Sequence, residues 1–195
     1  CMFELLTLFD NESVIVINQF HHDWFDTFFY YLCKSWVWIP FYVYVIWQLV
    51  TTYGVKKGII AIAFLGTTIG AQDYLCNKIV KPTVERARPF RNEEIHHKLH
   101  FAKELGITEN KMHETGSDFG FYSAHAGNFA ALTFFILLAL PRHRTLNTVF
   151  ILSTVLIGFA RIYLCLHYPT DVLTGFIIGS LIAYIFRKTF QFVIR

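Results

Sequence analysis

Charged residues are scarce in this chain, and so are prolines. Asp, Glu, Lys and Arg together make up 16% of the 195 residues, and there are only 5 prolines. Hydrophobic residues reach 54%, which is too apolar for an ordinary soluble domain of this length. The formal net charge of +3 is small, and the basic residues lie beside apolar segments, so no nucleic-acid partner is expected. The composition favours a single integral membrane domain over residues 1–195.

Cysteine is also infrequent, with Cys1, Cys33, Cys76 and Cys165 as the whole set. Three of the four lie in or near apolar runs, where cysteine behaves as a small core residue. No spacing demands a disulfide framework, although a bridge between Cys76 and Cys165 stays open.

Long apolar runs are what the chain has in abundance, and a bilayer core is crossed by about 20 apolar residues in a helix. The runs predict five spans, which cover 36–53, 58–80, 122–140, 146–165 and 171–186. Within them, the pairs Gly66/Gly70 and Gly175/Gly179 have the spacing of packed membrane helices. The predicted fold class is therefore all-α, a polytopic membrane helix bundle with a transmembrane core over 36–190.

The region 1–35 is expected to form short interfacial helices. Its apolar patches at 3–9 and 14–20 are too short to span and are divided by Asp10-Asn11-Glu12-Ser13. Both suit amphipathic helices in the membrane interface, the second capped by Glu12 or Ser13. A third short helix is predicted over 22–34.

Three basic segments predict the orientation. Lys56-Lys57, residues 142–144 and Arg187-Lys188 all fall on one side of the predicted bundle, which is then cytoplasmic by the positive-inside rule. The polar loop 81–121 and the loop 166–171 should face outward.

Polar residues collect at these outward ends, where charge is costly and usually functional. They are Lys81 and Arg88, then Ser123 and His125, then Arg161, His167 and Asp171. Guanidinium and ammonium groups suit a phosphate, and Ser123 stands where a helix would begin and offer free N–H groups.

The histidines predict the reaction. His167 and Asp171 are four residues apart, so the carboxylate can accept Nδ1–H and leave Nε2 free to attack. His125 supplies a second imidazole that can protonate a departing oxygen. Two histidines beside three cations favour phosphoryl transfer through a phosphohistidine.

The pattern Lys81-x6-Arg88-Pro89, Ser123-x-His125, Arg161-x5-His167-x3-Asp171 resembles the signature of the type 2 phosphatidic acid phosphatase superfamily. These are membrane lipid phosphatases related to vanadium haloperoxidases, and the resemblance covers residues 20–190. It implies His167 as nucleophile, Asp171 as its orienting partner, and His125 as the acid that later activates water.

The resemblance further implies that Lys81, Arg88, Arg161, Ser123 and the backbone N–H of Ala124 bind phosphate, with no metal and no cofactor. The chain departs from the usual motif in three places. Tyr122 replaces Pro, Ala124 replaces Gly, and Ala160 replaces the Ser before the third-motif arginine. None of these changes removes a side chain that would donate or accept a proton in the reaction.

A compact chain with five spans resembles bacterial members, which implies an inner-membrane protein whose site faces the periplasm or exterior. The expected partners are membrane lipids and a lipid phosphate substrate. The candidates are undecaprenyl diphosphate, phosphatidylglycerophosphate, phosphatidic acid and a lipid A phosphate, and loop 81–121 suits a large head group such as lipid A. Transfer of the phosphate to an acceptor other than water, and non-catalytic lipid-phosphate binding or transport, stay open, as does the oligomeric state.

Two further polar sets have alternative interpretations. His96, His97, His100 and His113 invite a metal, but no tetrahedral set is completed, so a solvated charged loop is favoured. Asp73, Asn77 and Lys81 share one helical stripe, and Asp73 either supports the site or packs helices together.

Overall fold

The computed structural model describes residues 2–101 and 119–195, and in these two ranges no β-strand forms. The helices are α1 (Met2–Gln19), α2 (Asp23–Leu32), α3 (Ile39–Tyr74), α4 (Lys81–Val84), α5 (Ala124–Ala139), α6 (Arg144–Tyr163) and α7 (Pro169–Val193). A 3-10 turn at Ser35–Trp38 precedes α3, and a π-helical turn at Leu75–Val80 joins it to α4. The predicted all-α class is confirmed.

Helix α3 is folded into a hairpin at Gly54, whose φ of +74° only glycine adopts readily. A Cβ added at Gly58 would lie 2.7 Å from the Cα of Val50, so the chain reverses at Gly54 and the arms 39–53 and 55–74 are in close contact beside the turn. The predicted turn at Lys56-Lys57 therefore lies two residues earlier, at Gly54. Pro40 sits in the first turn of α3, where a missing N–H costs nothing.

Three helical stretches are long and apolar enough to cross a membrane: Ser35–Val84, Arg144–Tyr163 and Pro169–Val193. Helix α5 is a shorter apolar helix. On α7 the side chains of Leu173, Ile177, Leu181 and Ile185 are each more than half exposed and recur every four residues. A continuous apolar stripe on the outside of a bundle is the surface that lipid covers, so this is an integral membrane protein.

Helix α5 lies at the centre of the bundle, and its closest neighbour is α7. A Cβ at Gly175 would lie 2.7 Å from the carbonyl oxygen of Ser123, and one at Gly179 would lie 2.2 Å from that of Gly127. The two backbones meet because neither glycine carries a side chain. The predicted packing role of the Gly175/Gly179 pair is thus confirmed.

The same prediction is wrong for Gly66 and Gly70. Both are exposed, and a Cβ at either would meet nothing within 4 Å. The spacing is present on the outer face of α3, where no helix of the described residues packs.

The N-terminal prediction of two short helices is also wrong. Residues 2–19 form one continuous helix, and Asp10 and Asn11 in its middle are 1% and 7% exposed. These polar side chains do not break the helix because they find partners inside the bundle. The third predicted helix is confirmed as α2, whose N-cap His22 accepts a hydrogen bond from the Trp24 N–H.

The last span is longer than predicted. Helix α7 continues to Val193, so Arg187 lies within it and not after it. The Arg187 side chain is only 6% exposed, and its Nη2 donates to the Tyr53 hydroxyl at 3.2 Å.

The glycine contacts generate a matched stability test. Gly179→Ala should lower the free energy of unfolding by about 1–3 kcal/mol, because the methyl group forces α5 and α7 apart. Gly66→Ala should change it by no more than about 1 kcal/mol, toward stability, since alanine favours a helix. Thermal unfolding of the detergent-solubilised protein checks both, and equal effects at the two positions would contradict the packing argument.

Candidate active site

The residues predicted from the sequence all come together at one end of the bundle. Lys81 begins α4, Ser123 caps α5 with His125 in its first turn, and Arg161 lies in the last turn of α6. Arg88 stands in the loop after α4, His167 in the loop after α6, and Asp171 in the first turn of α7. The charges of Lys81, Arg88 and Arg161 act on both His125 and His167.

The end of α6 fixes Arg161 and His167 relative to each other. The Arg161 carbonyl accepts from the N–H groups of Leu166 at 3.0 Å and His167 at 3.1 Å, and the Cys165 N–H donates to Ile162 at 2.9 Å. With Cys165 at φ +56°, this is a Schellman motif in which cysteine occupies the usual glycine position. The five-residue interval between Arg161 and His167 is the length this turn requires.

Asp171 faces His167 at a longer distance than predicted. Its Oδ2 is 3.7 Å from Nδ1 of His167, which is buried and has no hydrogen-bond partner among the described residues. The same Oδ2 accepts from the Tyr168 N–H at 3.0 Å, and Oδ1 accepts from Arg86 at 2.7 Å. The carboxylate is therefore oriented by other donors and lies within ion-pair distance of the imidazole.

Burial and positive charge control the imidazole of His167, which lies in the loop between α6 and α7. Its side chain is 2% exposed, and burial together with Arg88, Arg161 and Lys81 holds its pKa well below the usual range. The ring is consequently neutral at pH 7, the form in which one imidazole nitrogen keeps a free lone pair. Burial and the neighbouring Arg161 lower the pKa of Arg88 to about 10, which leaves it a cation at pH 7.

Lys81 is held by a chain of polar side chains. Its Nζ donates to Asn77 Oδ1 at 2.7 Å, Asn77 donates to Asp73 Oδ1 at 3.0 Å, and Asn128 donates to the same oxygen at 3.1 Å. Of the two roles left open for Asp73, these contacts favour support of the site, since Asp73 orients the amide that binds Lys81.

The chain continues through residues that the sequence analysis missed. Gln72 donates to Asn128 at 2.7 Å and accepts from the fully buried hydroxyl of Tyr122 at 2.6 Å. The sequence contained a signal for a functional role of Gln72 and Asn128, because both are polar residues inside apolar runs. Tyr122, a departure from the usual motif, thereby joins the network that supports Lys81.

Ser123 caps α5 as predicted. Its Oγ accepts from the Ala126 N–H at 3.4 Å, and its own N–H donates to the Asp171 carbonyl at 3.1 Å. Ala124 follows in the first helical turn, so its N–H is one of those that a helix leaves without an internal acceptor. The start of α5 is thereby tied to the start of α7.

Two more residues that the sequence analysis did not assign to the site are linked to Asp171, Arg86 directly and Asp10 through Arg86. Arg86 bridges Asp171 and Asp10, the latter from the middle of α1. Arg86 lies in the outer loop 81–121, where the sequence analysis gave it no role, and Asp10 was interpreted as part of a break between two helices. No local pattern identified either, because their partners are far away in the chain.

The described part of loop 81–121 is less solvated than predicted, with Phe90, Ile95 and Leu99 buried. His100 Nε2 lies 3.1 Å from Asp26 Oδ2, and its ring stacks on His21 at 3.9 Å. No group of three potential metal ligands occurs within 2–101 and 119–195, and His113 lies outside those ranges. Cys76 and Cys165 are free thiols, so the bridge left open does not form.

The chain belongs to the PAP2 superfamily, whose family model matches residues 60–195. The class of protein is thus a lipid phosphatase, a hydrolase of phosphate esters. A lipid A 4'-phosphatase of Bacteroides thetaiotaomicron is 30% identical over 95% of this chain and 78% of that protein. A lipid A 4'-phosphatase of Porphyromonas gingivalis is 20% identical over 94% of this chain and 73% of that protein.

A third relative, phosphatidylglycerophosphatase B of Bacillus subtilis, is 31% identical over 67% of this chain and 56% of that protein. Two crystal structures share the fold. The PAP2-type phosphatidylglycerolphosphate phosphatase from Bacillus subtilis has a TM-score of 0.62 at 24% identity, over 95% of this chain and 86% of that one. Aquifex aeolicus LpxE has a TM-score of 0.50 at 22% identity, over 91% of this chain and 93% of that one.

The depressed pKa of His167 predicts how stability depends on pH. Below about pH 6.5 this histidine becomes protonated in the unfolded chain, while in the folded chain it stays neutral. The unfolded chain then binds more protons than the folded chain, so the stability of the fold decreases as the pH is lowered. His167→Gln should make the fall between pH 7 and pH 5 shallower, by at most about 1.4 kcal/mol per pH unit. Thermal unfolding across this range measures it, and a slope equal to that of the wild type would contradict the prediction.

Proposed function

We propose that this protein removes the terminal phosphate of a membrane lipid through a phosphohistidine formed on His167. The observation that carries the proposal is the concentration of buried positive charge around two imidazoles. Lys81 and Arg88 are 4% and 7% exposed, and Arg161 acts on the same histidines. Asp10, Arg86 and Asp171 together carry one negative charge, and Asp73 behind Lys81 carries another. The three cations therefore leave an excess of positive charge, which favours binding of an anionic phosphate.

In the proposed reaction, Nε2 of His167 attacks phosphorus while the bond from phosphorus to the lipid oxygen breaks. His125 donates a proton to that leaving oxygen. In the second half, His125 takes a proton from water, the water oxygen attacks phosphorus, and the bond to Nε2 breaks. Lys81, Arg88, Arg161, Ser123 and the Ala124 N–H bind the equatorial oxygens, and Asp171 stabilises the charge on the imidazole. The mechanism uses no metal ion and no cofactor.

Lipid A carrying a 4'-phosphate is the proposed substrate. Both relatives that align along nearly the whole chain are lipid A 4'-phosphatases. Phosphatidylglycerophosphate is the second candidate, because the Bacillus relative acts on it and is 31% identical over a shorter stretch. Undecaprenyl diphosphate and phosphatidic acid present the same terminal phosphate chemistry, and no relative favours them.

We further propose five membrane passes, counting the two arms of α3 separately with α5, α6 and α7. The candidate site then lies at the end opposite the Gly54 turn and the basic segment 142–144. The positive-inside rule assigns that basic end to the cytoplasm of a bacterial inner membrane, so the site faces the periplasm.

A panel of purified lipid phosphates in proteoliposomes tests the proposal. Wild type should release phosphate fastest from lipid A bearing a 4'-phosphate, and His167→Ala should reduce kcat on the order of 10³-fold or more. Activity should survive EDTA and fall with vanadate, which adopts the five-coordinate geometry of the transfer.

Labelled substrate distinguishes the remaining routes. A phosphoenzyme that is acid-labile, base-stable and absent from His167→Ala supports the histidine nucleophile, and its persistence in that variant would refute it. Phosphate that appears on an added lipid acceptor in preference to water would instead identify a phosphotransferase.

A further inference from the structure

Helix α1 reaches the candidate site through Asp10, which is 1% exposed. Oδ1 of Asp10 accepts from the Thr170 N–H at 3.1 Å. Oδ2 accepts from Arg86 Nη2 at 2.6 Å and also from the Thr170 hydroxyl. Because Thr170 lies in the first turn of α7, Asp10 caps that helix from another part of the chain and places negative charge at its N-terminus.

Arg86 lies between two carboxylates. Its Nη1 donates to Asp171 Oδ1 at 2.7 Å and to Thr170 Oγ1 at 2.8 Å, while Nη2 is taken by Asp10. The guanidinium also lies over the Tyr168 ring, 4.1 Å from its centroid. A planar group with donors fixed on two sides and an aromatic face beneath it has little freedom to move.

This fixation has a direct effect on His167. Arg86 binds Oδ1 of Asp171, and Oδ2 of Asp171 faces the imidazole of His167, 3.7 Å from its Nδ1. The charge of Arg86 opposes positive charge on the imidazole, and the negative charge of Asp10 offsets part of that field. With Asp10 neutral, the net field of the three groups would favour a positive imidazole less.

A second contact from the same helix supports this arrangement. Asn11 accepts from Asn92 Nδ2 at 3.2 Å, and the same Nδ2 lies 3.0 Å from the hydroxyl of Tyr168. Asp10 and Asn11, which are consecutive in α1, therefore contact both the outer loop and the start of α7.

We propose that Asp10 and Arg86 are positioning residues for the Asp171–His167 pair, so that α1 is part of the catalytic unit. The inference rests on the proposed function, in which His167 is the nucleophile. Neither residue is assigned a phosphate contact, so their loss should affect turnover more than substrate binding.

The test uses the full chain in proteoliposomes with the best lipid phosphate substrate. Asp10→Asn keeps the shape of the side chain and removes its charge. We expect kcat to fall about 10- to 100-fold, the size of effect that misplacing a catalytic group produces, with KM unchanged within about twofold. Glu12→Gln removes the same charge from an exposed position two residues along α1 and should retain wild-type kcat.

A double-mutant cycle separates positioning from general destabilisation. Arg86→Gln should reduce kcat by a similar factor, and the double variant should be no worse than either single one, because both changes break one unit. Arg86→Lys, which keeps the charge, should recover part of the loss. Folded protein is quantified by size-exclusion chromatography and thermal unfolding, and kcat is expressed per folded enzyme.

Wild-type kcat in folded Asp10→Asn, or losses that multiply in the double variant, would overturn the inference. If Asp10→Asn does not fold, an unchanged kcat in both Arg86 variants would also overturn the inference. In these cases the proposed function survives, since hydrolysis still depends on His167. Hydrolysis that persists in His167→Ala would overturn both.

Discussion

Asp171 ties together three parts of the chain that are distant in sequence. Its backbone carbonyl accepts from Ser123 at the start of α5, and its carboxylate takes Arg86 from the outer loop and lies beside His167. These contacts require α5 and α7 to approach closely, which Gly175 and Gly179 permit. The positions of the α5 cap, the outer loop and His167 therefore depend on one residue at the first turn of α7.

Around this centre, polar groups in an apolar bundle are grouped in networks and not scattered. One network links Tyr122 to Lys81 through Gln72, Asn128, Asp73 and Asn77. Another runs from Asp10 through Arg86 to Asp171. An unpaired polar group in a membrane costs several kcal/mol, on the order of 2–7. Each network satisfies its members and at the same time fixes a cation or carboxylate at the candidate site.

The local parts of both fold and site were predictable. The spans at 122–140 and 146–165 agree with α5 and α6 to within about two residues, because apolar length and turn residues decide them. Ser123 was predicted as a cap from its place before an apolar run. His125, Arg161, His167 and Asp171 were predicted from their side-chain chemistry and their spacing, and the interval between Arg161 and His167 is set by the turn that ends α6. The errors lay where distant residues intervene, as in α1, where inward-facing Asp10 and Asn11 were interpreted as a break.

The sequence by itself determined the helical membrane class, the family and the candidate site residues, because apolar periodicity and short intervals are local properties. Only the tertiary structure decided that Gly179 packs helices while Gly66 does not. The two glycine pairs have the same spacing, but among the described residues only the pair on α7 meets a neighbouring helix. It likewise decided that Asp10 and Arg86 meet at Asp171, because pairing across 76 and 85 positions is set by how the helices pack.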